Sequence, residues 1–233
     1  MMNGQQLIAE ARSAQRTALD EAAGKRLLAG YGVAVPQTRV VKNADGVAAA
    51  LKELKLPVVV KVVSPDILHK SDAGGVAVNL RSAAEVEAAI REMAKKPKIA
   101  AARVEGYLIE EMAPAGQEIV VGGLRDPEFG PLVMVGLGGI FVEVLADVSF
   151  RICPITRVDA EEMLAELKGA AVLKGARGRQ PASLDAIIDV LMKVGGENGL
   201  LMQHGDDIKE ADINPLIVSG TGAVAVDARF ILS

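Results

Sequence analysis

Residues 58–78 read VVVKVVSPDILHKSDAGGVAV, and this stretch decides how the first half of the chain folds. Two valine-rich runs, at 58–63 and 76–80, have the composition of buried strands. The dozen residues between them resemble neither a strand nor a helix. Long connections inside compact domains are often functional. The stretch therefore predicts two neighbouring strands joined by a long, functional loop.

Two side chains in this stretch need an explanation. Lys61 interrupts the first valine run and is predicted to share a strand face with Val59 and Val63. An ammonium group at that position needs an anionic partner or a route to water. Either Lys61 extends to solvent at the strand end, or it projects into a cleft and binds a phosphate. His69 is one of two histidines and lies in the loop, where spacing alone assigns it no role.

Composition limits the classes of function. The 233 residues are 50% hydrophobic, which allows one large domain or two subdomains that share a core. Aromatic residues make up only 3% and the net charge is −4, so we expect no nucleic-acid partner. The single cysteine, Cys153, cannot form an internal disulfide and is predicted to be a small packed residue. With no apolar leader and no long apolar run, the protein is predicted to be soluble and cytoplasmic, without a membrane partner.

The remaining patterns predict an α+β (α/β) fold. Helical patterns occupy 4–31, the segment after Asn43 and the segment after Ser82, where Glu85 completes a capping-box signature. Short β-rich segments follow Pro97, namely YLIEEM, QEIVVGGL, PLVMVGL and FVEVL, and two more helices are expected near 160–167 and 183–197. We predict an N-terminal subdomain at 1–106, with leading helices, and a C-terminal subdomain at 107–233.

The C-terminal segment EADINPLIVSGTGAVAVDARFIL is predicted to form a β-hairpin. If its turn is centred on Gly220 and Thr221, the numbers of cross-strand partners sum to 441, and Asp212 faces Arg229 while Asn214 faces Asp227. These four side chains then share one face. The other face is apolar, with Ile213, Pro215, Ile217, Val224, Val226 and Ala228.

Two carboxylates and an amide at one end of a hairpin face suit Mg²⁺, which prefers oxygen ligands. The alternative is an ordinary amphipathic hairpin whose polar face is solvated. A three-residue turn would also shift the register and break the proposed pairing. The pattern alone leaves both interpretations open.

Further candidate binding residues have equally ordinary alternatives. Gly74 and Gly75 are candidate nucleotide-binding residues because a glycine pair can bring backbone N–H groups close to an anion. No Walker A or Rossmann glycine motif occurs in the chain. Glu110, Glu111 and Glu118 mark the ends of EEMAPAGQE and could hold a ribose or a second metal, or could be exposed charges at strand ends.

Taken in order, four motifs resemble the ATP-grasp domain, and in particular the β subunit of ADP-forming (NDP-forming) acyl-CoA synthetases, also called acetate–CoA ligases. They are VVVKVVSPDILHKSDAGGV, YLIEEMAPAGQEIVVG, PLVMVGLGGIFVEVLADVSFRICPI, and ADINPLIV followed by AVAVDAR. The resemblance runs from about Leu19 to Leu232, and the succinyl-CoA synthetase β subunit is a more distant relative. It implies an ATP-grasp fold with a nucleotide bound between two subdomains.

The resemblance implies a nucleotide site for ATP or ADP. Lys61 corresponds to a lysine that contacts the nucleotide phosphates. Glu110 lies where the family leads into the adenine-binding hinge, and Glu111 and Met112 contribute backbone or packing there. Glu118 corresponds to an acidic residue near the ribose or the phosphates.

The resemblance also implies a Mg²⁺ site and a phosphoryl carrier. Asn214 and Asp227 correspond to the Mg²⁺ ligands, with Asp212 in support. His69 corresponds to a histidine that transiently accepts a phosphoryl group and relays it to or from the nucleotide. A neutral imidazole nitrogen is nucleophilic near neutral pH, so the residue type suits this role.

In the family, acyl-CoA, ADP and phosphate are converted to carboxylate, CoA and ATP through an acyl phosphate and phosphohistidine intermediates. The CoA-binding domain and another phosphohistidine lie in an α subunit, or in the N-terminal part of fused forms. We therefore expect a CoA-binding α subunit as partner in a hetero-oligomer, with the small carboxylate and CoA bound mainly by that partner. Lys70 and Arg151 are candidates, by position only, for spreading phosphoryl charge. His204 matches no family position and is expected at the surface or at a helix end.

Two other functions stay open. The first is another ATP-grasp ligase that joins a carboxylate to an amine or thiol, although such ligases need no phosphohistidine and His69 argues against it. The second is a nucleotide-sensing regulatory module, like the ATP-grasp domains attached to protein lysine acetyltransferases. The joint presence of Lys61, His69, Asn214 and Asp227 favours the enzyme. The sequence identifies neither the acyl substrate nor a preference between ADP and GDP.

Overall fold

A computed structural model describes residues 4–67, 69–139, 146–175 and 181–233. The chain divides into two compact units, a small unit at Pro36–Ala113 and a large unit made of Met1–Val35 and Pro114–Ser233. The large unit is thus built from two separate parts of the chain. This division differs from the boundary predicted near residue 106, because the strand that begins at Gly106 pairs with other strands of the small unit.

The described elements are eleven strands and nine helices, together with two short 3-10 turns at Ala44–Gly46 and Leu51–Glu53. The strands are β1 Ala18–Leu19, β2 Thr38–Val41, β3 Val58–Val63, β4 Val76–Leu80, β5 Gly106–Glu111, β6 Gln117–Asp126, β7 Gly130–Leu137, β8 Val148–Ile152, β9 Ile208–Val218, β10 Ala223–Ala225 and β11 Arg229–Leu232. The helices are α1 Gly4–Ser13, α2 Glu21–Gly30, α3 Val47–Ala50, α4 Ala83–Lys95, α5 Pro97–Ala100, α6 Arg157–Glu166, α7 Ala170–Leu173, α8 Leu184–Gly195 and α9 Leu200–Gln203.

The small unit contains a four-stranded antiparallel sheet in the order β2-β5-β3-β4. The two valine-rich strands lie where the sequence predicts them and pair with each other. Helix α4 is capped, as expected, by Ser82, whose Oγ accepts a hydrogen bond from the N–H of Glu85 at 3.2 Å. Its apolar residues recur at helical spacing and share a buried cluster with alternate residues of β3, namely Val86, Ile90 and Met93 with Val58, Val60 and Val62.

The large unit contains a seven-stranded sheet in the order β1-β11-β9-β6-β7-β8, with β10 paired to β9. Alternate residues on one face of its central strands are buried together with the apolar face of α8. The cluster includes Val121, Val133, Ile213, Ile187, Leu191 and Val194. Gly195 lets α8 approach the sheet closely, because a Cβ there would lie 2.9 Å from Val133 Cβ.

The C-terminal hairpin has the predicted register. Ala223 pairs with Val218 and Arg229 pairs with Asp212, as a sum of 441 requires. The prediction that the odd-numbered residues of β9 form the core side throughout was wrong. Relative to β6, one extra residue is inserted in β9 between Ile213 and Leu216. This bulge moves the buried positions to Leu216 and Val218 and leaves Pro215 and Ile217 half-buried.

Helices and antiparallel sheets make this an α+β fold, as predicted. Among the described residues, no helix combines the length and the apolar character needed to cross a membrane. The predicted strand FVEVL, at 141–145, lies outside the described residues.

Candidate functional site

The lysine in the buried strand of the small unit has an anionic partner. Lys61 Nζ lies 2.7 Å from Glu110 Oε1, and both side chains are almost completely shielded from solvent. Strand pairing explains the contact, because β5 lies beside β3 with Val59 opposite Glu110 and Lys61 opposite Leu108. Lys61 and Glu110 are therefore diagonal neighbours on one sheet face. The pair meets the requirement of a buried ammonium, and the alternative in which Lys61 extends to solvent at the strand end is excluded.

The loop from Ser64 to Gly75 connects β3 to β4 and carries His69 with its side chain exposed. Near its start, Asp66 Oδ2 accepts a hydrogen bond from the N–H of Arg103 at 2.7 Å. Near its end, Lys96 Nζ donates to the carbonyl oxygen of Gly74 at 2.6 Å. His69 thus lies between two anchored ends of the loop, and its imidazole is accessible to a reactant.

The glycine pair at the end of this loop serves backbone geometry. The N–H groups of Gly74 and Gly75 donate to the carbonyl oxygens of Ser71 and Lys70 at 2.9 and 2.7 Å. Gly74 adopts φ +68°, and a Cβ on Gly75 would overlap Val62 Cγ1. Both N–H groups are therefore engaged within the turn. A nucleotide-binding role for these glycines stays a prediction that depends on the family resemblance.

Glu111 ends β5 and Met112 follows it, and both make further hydrogen bonds in the small unit. Glu111 Oε1 accepts the N–H of Lys55 at 2.8 Å, and the N–H of Met112 donates to the carbonyl oxygen of Pro57 at 3.3 Å. The side chain of Met112 is exposed. Glu111 therefore has a structural contact, while Met112 offers an apolar surface at the end of the strand.

The hairpin of the large unit brings acidic residues together on one sheet face. Asp212 pairs with Arg229 across the strands. Burial and the nearby carboxylates of Asp227 and Glu210 raise the pKa of Asp212, while Arg229 opposes this effect. Asn214 lies in the bulge with its side chain exposed. The carboxylate of Asp227 is therefore near enough to Asp212 to raise its pKa, in agreement with the predicted hairpin geometry.

The donor set of this face fits a divalent cation. Asp212 and Asp227 supply carboxylate oxygens and Asn214 supplies an amide oxygen, which are the ligand types that Mg²⁺ takes. Burial and the carboxylates of Asp227 and Glu210 disfavour the ionised form of Asp212 and raise its pKa. A bound cation would favour that form, so the residues present are compatible with Mg²⁺.

Glu210 is a member of this acidic face that the sequence argument did not include. It raises the pKa of Asp212 together with Asp227. Its position two residues before Asp212 on β9 places it on the same face. Simple alternation in EADIN was therefore the signal that could have identified it.

Glu118 lies on the same sheet face as Asp212 but farther along it. Asp212 pairs with Gly122 of β6, and Glu118 is four residues before Gly122 on that strand, so the two acids are offset by about 13 Å along the strand direction. The side chain of Glu118 is exposed, and its carbonyl oxygen accepts the N–H of Gly138 at 2.7 Å. Glu118 therefore belongs to the rim of the acidic face and does not share an ion with Asp212.

Arg151 does not join the acidic face. Strand pairing connects Asp212, Gly122, Met134 and Phe150 on one side of the sheet, so Arg151 projects to the opposite side. There it forms an ion pair with Glu166 of α6. Together with the hydroxyl of Ser149, Arg151 lowers the pKa of Glu166 to about 2. The positional proposal that Arg151 spreads phosphoryl charge is thus not supported.

The second histidine, His204, and the cysteine, Cys153, are both buried in the large unit. His204 ends α9, as expected, but it is buried and not at the surface. It is covered because Gly4 allows α1 to approach its ring, and burial lowers the pKa of His204. Cys153 follows β8 and belongs to the apolar cluster, which confirms its predicted packing role.

Comparison with known proteins shows which family the chain resembles over most of its length. The family model of the ATP-grasp domain matches residues 10–232. The chain is 45% identical over 230 residues to subunit beta of the ADP-forming acetate–CoA ligase I of Pyrococcus furiosus, covering 97% of this chain and 96% of that protein.

The chain is also similar in fold and sequence to solved structures of an acetyl-coenzyme A synthetase. A dinucleotide forming acetyl-coenzyme A synthetase 1 of Ca. Korarchaeum cryptofilum, in complex with coenzyme A and Ca-AMPCP, has a TM-score of 0.92 at 42% identity over 99% of this chain and 100% of that chain. A second structure of that synthetase, with coenzyme A and Mg-AMPPCP, has a TM-score of 0.84 at 41% identity over the same shares of both chains. In that structure the phosphohistidine segment points towards the nucleotide-binding site.

Proposed function

Because the chain belongs to the ATP-grasp family, within the group of ADP-forming acetate–CoA ligase β subunits, we propose that it is the nucleotide-binding subunit of an ADP-forming acid–CoA ligase. In this proposal the chain binds ATP or ADP with Mg²⁺ and relays a phosphoryl group through His69. The observation that carries the proposal is the exposed imidazole of His69 in an anchored loop directly after the strand of Lys61.

The phosphoryl step needs one nucleophile and one leaving group. A neutral imidazole nitrogen of His69 attacks the γ-phosphorus of ATP with its lone pair and forms an N–P bond. The P–O bond to the β-phosphate oxygen breaks, and ADP leaves with that electron pair. In the direction of ATP synthesis, the β-phosphate oxygen of ADP attacks the phosphohistidine and the N–P bond breaks. An exposed loop residue suits this step because the same imidazole must meet two reactants.

Lys61 is proposed to hold the nucleotide phosphates. The ammonium group lies 2.7 Å from the Glu110 carboxylate, and this contact fixes the direction of the side chain in a shielded place. A lysine ammonium is a compact point charge of the kind that binds phosphate oxygens. The pair is therefore a prepared anion-binding group, supported by its burial and geometry.

The acidic face of the large unit is proposed to hold Mg²⁺ through Asp212, Asn214 and Asp227. When bound, Mg²⁺ neutralises and orients the phosphate oxygens of a nucleotide. Burial and the neighbouring carboxylates raise the pKa of Asp212, and a bound cation would favour its ionised form. Glu118, farther along the face, is proposed to contact the ribose or the phosphates.

The proposed partner is a CoA-binding α subunit that carries another phosphohistidine. The relative in Pyrococcus furiosus is itself a subunit beta, and this chain covers 96% of it. By this likeness, the carboxylate and CoA are proposed to bind through the partner, which would take the phosphoryl group from His69. The complete reaction would convert acyl-CoA, ADP and phosphate to carboxylate, CoA and ATP.

Labelled ATP tests the relay. The purified chain, with and without its α partner, is incubated with γ-phosphate-labelled ATP and Mg²⁺, and the label on protein is tested for stability to acid and base. We expect acid-labile, base-stable label on wild type and none on His69→Gln. Ser71→Ala is the matched control, because Ser71 is exposed in the same loop and a phosphoserine would be stable to acid.

The outcomes separate the functions. Acid-labile label that is absent from His69→Gln and present on Ser71→Ala supports the relay. Full acyl-CoA formation by His69→Gln with its partner would refute it. The proposed metal site is tested by Asp227→Ala, which should lose Mg²⁺-dependent ADP binding, with the exposed Asp206→Ala as control. Unchanged Mg²⁺ dependence in Asp227→Ala would remove the hairpin from the site.

A further inference from the structure

Helix α2 of the large unit contains a glycine in its interior, where glycine usually destabilises a helix. Gly24 is the fourth residue of α2, and a glycine inside a helix costs about 1 kcal/mol relative to alanine. The reason lies in packing, because a Cβ at Gly24 would lie 2.8 Å from the carbonyl oxygen of Ala228 and 3.2 Å from the ring of Phe230. Only a glycine lets the helix approach the backbone at this point.

The residue that Gly24 touches also holds a proposed Mg²⁺ ligand. The N–H of Ala228 donates to Asp227 Oδ1 at 2.8 Å, while the carbonyl oxygen of Ala228 faces Gly24. The next residue, Arg229, pairs with Asp212. Ala228 is buried and so has no freedom to turn towards solvent. Its peptide groups thus connect the α2 surface with the acidic face.

The same face of α2 carries a buried ion pair. Glu21 and Lys25 lie three residues before and one residue after Gly24, and Lys25 Nζ is 2.7 Å from Glu21 Oε1. Both side chains are shielded from solvent. Both charges are on the same helix, so rotation of α2 would bring them into solvent together, and their burial favours the observed orientation. The contact at Gly24 is therefore supported on both sides.

We propose that Gly24 is a positioning residue for the Mg²⁺ site, and that its contact with the Ala228 carbonyl sets the place of the Asp227 carboxylate. This inference rests on the proposed function, since it takes Asp227 as a Mg²⁺ ligand. A Cβ at Gly24 pushes against backbone, which cannot turn away as a long side chain can. The displacement therefore passes to the peptide that hydrogen-bonds Asp227.

The test uses Mg²⁺ titrations of ADP binding to the full chain by calorimetry. We expect Gly24→Ala to weaken the apparent Mg²⁺ affinity by about 10- to 100-fold, the range typical of groups that orient metal ligands. Its ADP affinity without Mg²⁺ should equal that of wild type. Gly30→Ala is the matched control in the same helix, because a Cβ there meets no atom within 4 Å. Its Mg²⁺ affinity should be unchanged.

Asp227→Ala separates this inference from the proposed function. If Asp227→Ala keeps its Mg²⁺ affinity, the proposed metal site is wrong. If Asp227→Ala loses Mg²⁺ affinity but Gly24→Ala retains it, only the positioning role is wrong. A loss of ADP affinity without Mg²⁺ in Gly24→Ala would indicate general distortion and would also overturn the inference.

A second measurement on wild type keeps the inference testable if Gly24→Ala does not fold. Amide NMR signals are followed while Mg²⁺ is added to the ADP-bound chain. The signals of Gly24 and Ala228 should shift with the same midpoint as that of Asp227, while Gly30 stays constant. A Gly24 signal that does not move while Asp227 shifts would refute the coupling.

Discussion

Removing one member of the Lys61–Glu110 pair should destabilise the small unit far more than removing both. The two side chains are 7% and 0% exposed, and their charged atoms are 2.7 Å apart. Lys61→Met leaves the Glu110 carboxylate shielded without this ammonium, and Glu110→Met leaves the ammonium without this carboxylate. The double variant places two apolar side chains of similar volume on the same sheet face.

The burial of the pair sets the size of the effect. Breaking a buried pair by removing one partner typically costs about 3–5 kcal/mol, whereas replacing both with apolar residues is close to neutral or stabilising. We therefore expect each single variant to lose about 3 kcal/mol or more and the double variant to lie within about 1 kcal/mol of wild type. All three variants should lose ADP affinity, because each disturbs or removes the proposed phosphate-binding ammonium.

Urea unfolding of the small unit is the assay. The chain has no tryptophan and two tyrosines, and Tyr107 lies in the small unit while Tyr31 lies in the large unit. In a Tyr31→Phe background, tyrosine fluorescence therefore reports only the small unit. The reference pair is Lys95 and Glu92 of α4, which has the same 2.7 Å separation but is 70% and 68% exposed.

Because the two ion pairs have the same 2.7 Å separation, comparing their double-mutant cycles isolates the effect of burial. The cycle of Lys95 and Glu92 should show no coupling free energy beyond measurement error, since water and salt screen exposed pairs. Additive effects of Lys61→Met and Glu110→Met would refute the reasoning, since they would show that the two charges do not depend on each other. Retained ADP affinity in the stable double variant would remove Lys61 from the nucleotide site.

Three further predictions follow from the described contacts. Burial and Asp227 raise the pKa of Asp212, so ionisation of Asp212 destabilises the Mg²⁺-free fold as the pH rises from the usual pKa of an aspartate through the raised one. Asp212→Asn should therefore raise the Tm of the Mg²⁺-free chain at pH 7 and weaken Mg²⁺ binding, and an unchanged Tm would contradict this. Burial raises the pKa of the Cys153 thiol to about 11, so a disulfide reagent at pH 8 should label it only in denaturant; rapid native labelling would be the contrary result. Gly75→Ala should cost about 1–3 kcal/mol because its Cβ overlaps Val62, whereas Gly222→Ala, with no atom within 4 Å, should be neutral in urea unfolding; equal stabilities would exclude the overlap.

The strands and the hairpin register could be predicted because their signals are local. The valine runs of β3 and β4, the Ser82 cap and the turn at Gly220 each depend on residues close in sequence. The pairing of Asp212 with Arg229 followed from counting outward from that turn. Such features need no knowledge of which distant strand lies alongside.

The features that sequence reasoning missed depend on distant partners. The bulge in β9 arises from its pairing with β6, some ninety residues earlier in the chain. The partner of Lys61 is Glu110, on a strand that the predicted boundary assigned to the other subdomain. His204 is buried because α1, at the far end of the chain, packs over it. In each case the deciding contact is invisible to periodicity and spacing.

Among the described residues, both candidate sites contain departures from ordinary local rules. A buried lysine–glutamate pair adds little or no stability over apolar residues, and burial together with the carboxylates of Asp227 and Glu210 raises the pKa of Asp212. A chain selected for stability alone would favour neither arrangement, and such departures are expected where binding requires them. The charges also match the proposed ligands, because Lys61 offers a cation to phosphate while Asp212 and Asp227 offer anions to Mg²⁺. Each site is therefore least favourable without its ligand, so binding of Mg²⁺ and ADP should stabilise the fold through these same groups.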